Sequence, residues 1–138
     1  MKTVFADTGY WQAITDPHDQ LHDTALAISR SLRQTRIVTT EMVLAELLNA
    51  LSKIPVREVA AKMVELIRSN PNVEVIPQTG QQFRDALELY RTRADKAWSL
   101  TDCASFKLME SRAISEALAY DRHFEQAGFQ ALLRTSAH

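Results

Sequence analysis

Thr3-Val4-Phe5-Ala6-Asp7-Thr8-Gly9-Tyr10-Trp11 opens the chain with a short apolar run that stops at an acid. Val4 and Phe5 suit a buried strand, and Asp7 falls where that strand ends. Thr8 and Gly9 are expected to turn the chain. Ligands bind at the carboxyl ends of strands in a parallel α/β sheet. The question for the rest of the chain is which acids converge on Asp7.

The first strand is placed at about Thr3 to Ala6, followed by one helical turn from Tyr10 to Ile14. His18 to Gln34 carries Leu21, Ala25, Ile28 and Leu32 at helical spacing. Ile37-Val38-Thr39 reads as a short second strand. Thr39 or Thr40 caps the next helix, which runs to about Ser52. Pro55 suits the first turn of a further helix to Ser69, and Asn70-Pro71-Asn72 breaks it. Val73 to Ile76 is the third strand. Thr79 caps a helix through Arg93, Asp95 to Leu100 is a loop, and a helix spans Thr101 to Ser111. Ile114 to Tyr120 is the fourth strand. One helical turn follows from Arg122 to Ala127, Gly128 stops it, and Phe129 to Leu133 is a weak last strand. This alternation means βαβ units and a mostly parallel sheet covered on both faces.

The chain has 138 residues, which suits one domain, 1–138, and 46% of them are hydrophobic, enough for a real core. Formal net charge is −1, so no strong overall field draws it to nucleic acid, although a local basic rim would suffice. The single cysteine, Cys103, excludes a disulfide framework and a cysteine zinc site, and it fits a reducing cytoplasm. No apolar run approaches a membrane span, and the start lacks the apolar region of a signal peptide. With only 3 glycines there is no phosphate-cradling glycine loop.

Four acids stand out. Asp7 and Asp121 each follow an apolar run, Val4-Phe5-Ala6 and Ala117-Leu118-Ala119-Tyr120. Parallel central strands put both on one edge of the sheet. Each also has a plain structural explanation as an Asx-turn or helix cap. Turning the helix by about 100° per residue puts Val43, Leu47, Leu51, Leu44 and Leu48 on one arc, with Glu46 just off its edge beside Ala50 and Met42. Glu46 is therefore partly shielded; as an ordinary helix glutamate it would be solvated or neutralised by Lys53. Glu41, on the outer side, reads as a surface charge. Asp102 completes Ser99-x-x-Asp102, a capping box. In a helix's first turn it also points well into a cleft. Thr8, Thr101 and Ser105 are hydroxyls able to hold water there.

Carboxylates gathered without cations repel, and their pKa values rise unless a metal neutralises them. All-oxygen ligands suit Mg²⁺ or Mn²⁺ rather than zinc or copper. Such a site supports metal-assisted attack of water on a phosphodiester, with one ion or two.

Four segments together resemble the PIN-domain ribonucleases and, within them, the VapC-type toxins of bacterial toxin–antitoxin pairs. They are Val4 to Gly9, Thr39-Thr40 through Leu44-Ala45-Glu46-Leu47, Trp98 to Phe106, and Ala119 to Phe124 with Gly128-Phe129. The resemblance covers nearly the whole chain, the third and fourth segments being the most specific. It implies a three-layer fold with about five strands in the order 3-2-1-4-5 and right-handed crossovers. It implies a Mg²⁺ or Mn²⁺ site, endonucleolytic cleavage of RNA and a protein antitoxin. Asp7, Glu46 and Asp102 match the family's most regular acids. Asp121 matches a fourth whose contribution varies and can run through water. Asp95 is peripheral.

Other residues have plainer roles. His18 and His22 share a helix face at i, i+4 spacing, without an H-E-x-x-H pattern. His123 reads as a turn residue within reach of substrate, and His138 as a disordered end. Cys103 and Trp98 read as packing residues. Arg91, Arg93, Lys96 and Arg122 are candidates for an RNA rim. The helices around Val43 to Leu51 and Val59 to Ile67 are apolar enough for core plus a homodimer face or a groove for a partner helix.

Three other functions compete. An aspartyl-phosphate enzyme of the haloacid-dehalogenase kind needs a second acid two residues after Asp7, and that position is Gly9. A PIN nuclease of RNA processing without an antitoxin, and a non-catalytic nucleic-acid or protein binding module, are the alternatives to a toxin.

Overall fold

The computed structural model describes residues 1–135. His138, predicted to be disordered, lies outside the described residues. Five strands pair in the order β3-β2-β1-β4-β5, all in parallel, as expected. They are β1 (Lys2–Ala6), β2 (Thr35–Thr40), β3 (Val73–Ile76), β4 (Glu116–Leu118) and β5 (Gln130–Ala131). The intervening helices are α1 (Thr8–Thr15), α2 (His22–Ser31), α3 (Glu41–Ala50), α4 (Val56–Ser69), α5 (Gly80–Thr92), α6 (Leu100–Ser111), α7 (Arg122–Gln126) and α8 (Leu132–Thr135).

The centre of the sheet is fully apolar. Val4, Phe5 and Ala6 of β1 and Ala117 and Leu118 of β4 have no exposed surface, as strands covered on both faces require. Phe106 is the hub of an aromatic group beside it, meeting Trp98, Phe124 and Phe129.

Thr39 ties the second strand to the start of the first helix. Its hydroxyl donates to the Ala6 carbonyl at 2.8 Å and accepts from the Trp11 indole N–H at 3.3 Å. A β-branched residue suits the end of β2, and its hydroxyl satisfies two groups that burial would otherwise leave unpaired. The backbone is thereby clamped on both sides of Asp7.

Several sequence expectations shift. Thr8 and Gly9 do not form a turn: they are the first residues of α1, which runs for two turns. The helix predicted from His18 begins only at His22. Asp16 and Asp19 accept the backbone N–H groups of His18 and Leu21 and fold 16–21 into turns. His18 and His22 therefore share no helix face, and the His22 ring contacts the Ala13 carbonyl instead. β2 is longer than predicted. The fourth strand is shorter, ending at Leu118, and the fifth gives way to α8 after Ala131. Leu48, placed on the buried arc of α3, is 38% exposed. Glu41 is a surface charge as read, tethered to the Gln78 N–H at 2.6 Å.

Candidate metal centre

The carboxyl edge of β1 and β4 opens into a cleft lined by Asp7, Glu46, Asp102 and Asp121, together with Thr8, Ser99, His123 and others. Each acid arrives from a different element, and each is held by local structure.

Asp7 occupies the N-cap position of α1, yet its side chain accepts no capping hydrogen bond. Its carboxylate is left to the cleft. Its backbone is fixed by an N–H bond to the Leu118 carbonyl at 3.1 Å, across to β4. Glu46 sits mid-helix in α3, whose start is capped by Thr40. It is half-buried, as its place off the apolar arc predicts, and makes no ion pair among the described residues.

Asp102 and Asp121 are caps as well as cleft residues, so the two explanations of each are not exclusive. Asp102 Oδ2 accepts from Ser99 N at 3.0 Å while Ser99 Oγ accepts from Asp102 N at 3.0 Å, a complete capping box. Asp121 Oδ1 accepts from His123 N at 2.9 Å. Capping uses one oxygen of each carboxylate and aims the other by fixing the side chain.

The electrostatics are those of a site built for a cation. Asp7 is only 8% exposed. Burial, with the charges of Asp102, Glu46 and Asp121 in supporting roles, pushes its carboxyl from 3.8 up to about 7, against the lowering effect of the Thr8 amide. Burial also raises Asp102 above the usual range, opposed by the Ser99 amide and by His123. Thr8 Oγ1 is the one buried side-chain polar atom without a hydrogen-bond partner among the described residues. An orphaned hydroxyl beside an uncompensated acid is what a missing ion or its water would satisfy. The residues therefore fit a divalent cation, with an all-oxygen donor set of the hard type.

Sequence reasoning undervalued His123. Its Nδ1 lies 2.9 Å from Asp102 Oδ2 and 3.2 Å from Asp121 Oδ1. Ligand atoms of Asp102, Asp121 and His123 all fall within 4.8 Å of one another. The Nδ1 edge of the ring faces both carboxylates, so the imidazole links the two acids. His123 is a positioning residue for two acids. Its place two residues after the capping Asp121 was the available signal. Thr101 does not line the cleft; its carbonyl accepts from Ser105 Oγ at 2.9 Å. Ser105 itself is fully buried. Asp95 pairs with Arg93 at the surface, and Arg93 also covers the Trp98 ring, so Arg93 is not a free rim cation. Arg122 lines the cleft and has no ion pair among the described residues.

The model of the PIN domain family matches residues 4–130. The chain belongs to that family. It is 29% identical over 126 residues to the 23S rRNA-specific endonuclease VapC20 of Mycobacterium tuberculosis, covering 91% of this chain and 95% of VapC20. The crystal structure of that protein, described as a Sarcin-Ricin loop cleaving toxin, superposes with a TM-score of 0.83 at 28% identity, over 91% of this chain and 95% of the other. More distant PIN folds are VapBC2 from Rickettsia felis, bound to a DNA fragment from its promoter (TM-score 0.68, 15% identity, 94% and 96% covered), and FitAcB from Neisseria gonorrhoeae (TM-score 0.61, 14% identity, 93% and 95% covered). These two share the fold. In this PIN domain no described helix is long and apolar enough to cross a membrane.

Proposed function

We propose that this chain, acting as one domain, is a Mg²⁺- or Mn²⁺-dependent endoribonuclease and the toxin of a toxin–antitoxin pair, working in the cytoplasm. The observation that carries the catalytic reading is the convergence of four acids around Asp7, whose carboxyl is pushed up to about 7 when no cation is present. Asp7, Glu46, Asp102 and Asp121 are the residues that would hold the ion, Asp121 through water where it does not reach directly. Thr8 Oγ1 is free to hold a water beside it. When bound, such an ion supplies activation of water at neutral pH and neutralises charge on the phosphodiester.

The chain's own residues do the rest. Ser99 and His123 hold Asp102 in one rotamer from two sides. Asp121 is held by its bond to the α7 backbone and by the same imidazole. A site preorganised in this way loses little on reaching the transition state. Arg122 at the rim offers a free cation to the RNA backbone, giving affinity without reading sequence.

The likeness to VapC20 supports RNA as substrate, and structured RNA in particular, since near-neutral overall charge leaves recognition to shape and local contacts. The two-component relatives support a protein antitoxin. A surface for it is offered by the α3–α4 hairpin, where Ile54, Val59 and Leu66 are exposed. Phe83, Leu87 and Tyr90 form a second exposed stripe along α5 at helical spacing, which we assign to a homodimer contact.

The test is incubation of partner-free protein with a panel of structured RNAs, including a 23S rRNA fragment, in Mg²⁺, Mn²⁺ or EDTA. Cleavage is expected only with metal and is expected to vanish in Asp7→Asn and Asp102→Asn. Cleavage that survives EDTA or both substitutions overturns the mechanism.

A further inference from the structure

Tyr120 is the one Phe, Tyr or Trp among the described residues that line the cleft. It immediately precedes Asp121 and is 42% exposed, although its neighbour Ala119 is fully buried. Its hydroxyl makes no hydrogen bond among the described residues. Core packing does not require an aromatic ring in that place.

The ring is not loose. Arg134, from α8, lays its guanidinium over it with Cζ 4.7 Å from the centroid. Arg134 Nη1 donates to the Tyr120 carbonyl at 3.0 Å, and Nε pairs with Glu125 Oε1 at 3.3 Å. Three contacts therefore hold one planar group against another, and both line the cleft that the four acids share. Cation–π pairing of this kind fixes the ring at low entropic cost to any further partner. Contacts of the ion and of Arg122 with phosphate hold no base, so a base beside the cleavage point needs a surface of its own. Base stacking on aromatic and guanidinium planes is the sequence-tolerant way to supply it.

We propose that Tyr120 and Arg134 form a stacking platform for one unpaired nucleobase of the RNA beside the scissile phosphate. The inference rests on the ribonuclease reading above and deepens it. It commits the substrate to a nucleotide that can leave its own stack, as in a loop, and excludes the interior of a duplex. The ring and not the hydroxyl does the binding.

The experiment uses full-length protein and RNA hairpins carrying a single 2-aminopurine at successive loop positions. Wild type, Tyr120→Phe and Tyr120→Leu are compared, with thermal melts to verify folding. Binding is read by fluorescence in Ca²⁺ and cleavage by steady-state kinetics in Mg²⁺ or Mn²⁺. One loop position is expected to be quenched by wild type and Tyr120→Phe and not by Tyr120→Leu. Tyr120→Leu is expected to raise KM roughly 10-fold, the range one base–aromatic stack supports, with kcat little changed. An abasic nucleotide at the quenched position is expected to raise KM for wild type by a similar factor and leave Tyr120→Leu unaffected. Equal losses on intact and abasic RNA, or no effect of Tyr120→Leu on either readout, overturn the platform and leave the nuclease standing. Tyr120-dependent quenching without cleavage in any metal overturns the nuclease and leaves the platform. Neither binding nor cleavage overturns both.

Discussion

Nδ1 of His123 stands 2.9 Å from Oδ2 of Asp102, joining the first turn of α6 to the first turn of α7 across the mouth of the cleft. The same nitrogen reaches Asp121 at 3.2 Å. One imidazole thus sets the spacing of two acids from segments distant in sequence. Replacing His123 by Leu is expected to weaken Mn²⁺ binding by roughly 10- to 100-fold, the usual cost of losing a residue that orients a ligand. His123→Asn, which can still donate to one carboxylate, should recover part of it. Titration calorimetry with Mn²⁺ separates this from simple unfolding, since the melting temperature should move little for a half-buried residue outside the core.

Asp7 makes the metal-free protein sensitive to alkali rather than acid in the neutral range. Its folded carboxyl is pushed up to about 7 from 3.8. Between those values the folded state binds more protons than the unfolded, so stability falls as pH rises. Asp102, raised in the same direction, adds to the trend. Melting in EDTA should therefore be lower at pH 8 than at pH 5.5, and Mn²⁺ should restore it at pH 8. A higher melting temperature at pH 8 in EDTA would contradict the burial of these acids.

Asp7→Asn should stabilise the metal-free protein while destroying its chemistry. It removes a buried carboxyl pushed from 3.8 up to about 7, a charge that costs at most about 4 kcal/mol when ionised in the fold. Melting in EDTA at pH 8 is expected to rise by several degrees, and stabilisation by Mn²⁺ to disappear. A loss of stability in EDTA would show that the Asp7 carboxylate serves the fold.

Thr39→Val keeps the shape of a fully buried side chain and deletes its hydroxyl. The Trp11 N–H is then left unpaired, and the Ala6 carbonyl loses a donor. Denaturant unfolding should show a loss of roughly 1–3 kcal/mol. Thr39→Ser should recover most of it. Metal affinity should fall as well, because the clamp on either side of Asp7 is loosened.

Leu87→Glu places a charge in the middle of the exposed α5 stripe, where no described contact needs an apolar residue. Light scattering after gel filtration should show wild type as a dimer and the variant as a monomer. A wild-type monomer would remove the α5 assignment.

Three of the four acids' settings were legible because each rests on a local pattern, whereas the strand order was implied only by the resemblance of four segments to PIN-domain ribonucleases. Val4-Phe5-Ala6 before Asp7, Ser99-x-x-Asp102 and the α3 arc beside Glu46 are short-range signals that tertiary packing respects. The boundaries of α2 were not, because Asp16 and Asp19 spend their side chains on turns that look helical by apolar spacing alone. β4 and β5 were overestimated for the opposite reason: apolar runs there continue into buried loop and α8 instead of strand. The bridge made by His123 is a contact across 21 positions, and no periodicity encodes such a distance.

The N–H of Asp7 donates to the carbonyl of Leu118. The first acid of the chain is thus held in place by a strand made almost last, and the fourth acid lies beyond that strand. A nascent chain carries no complete cleft until α7 has left the ribosome.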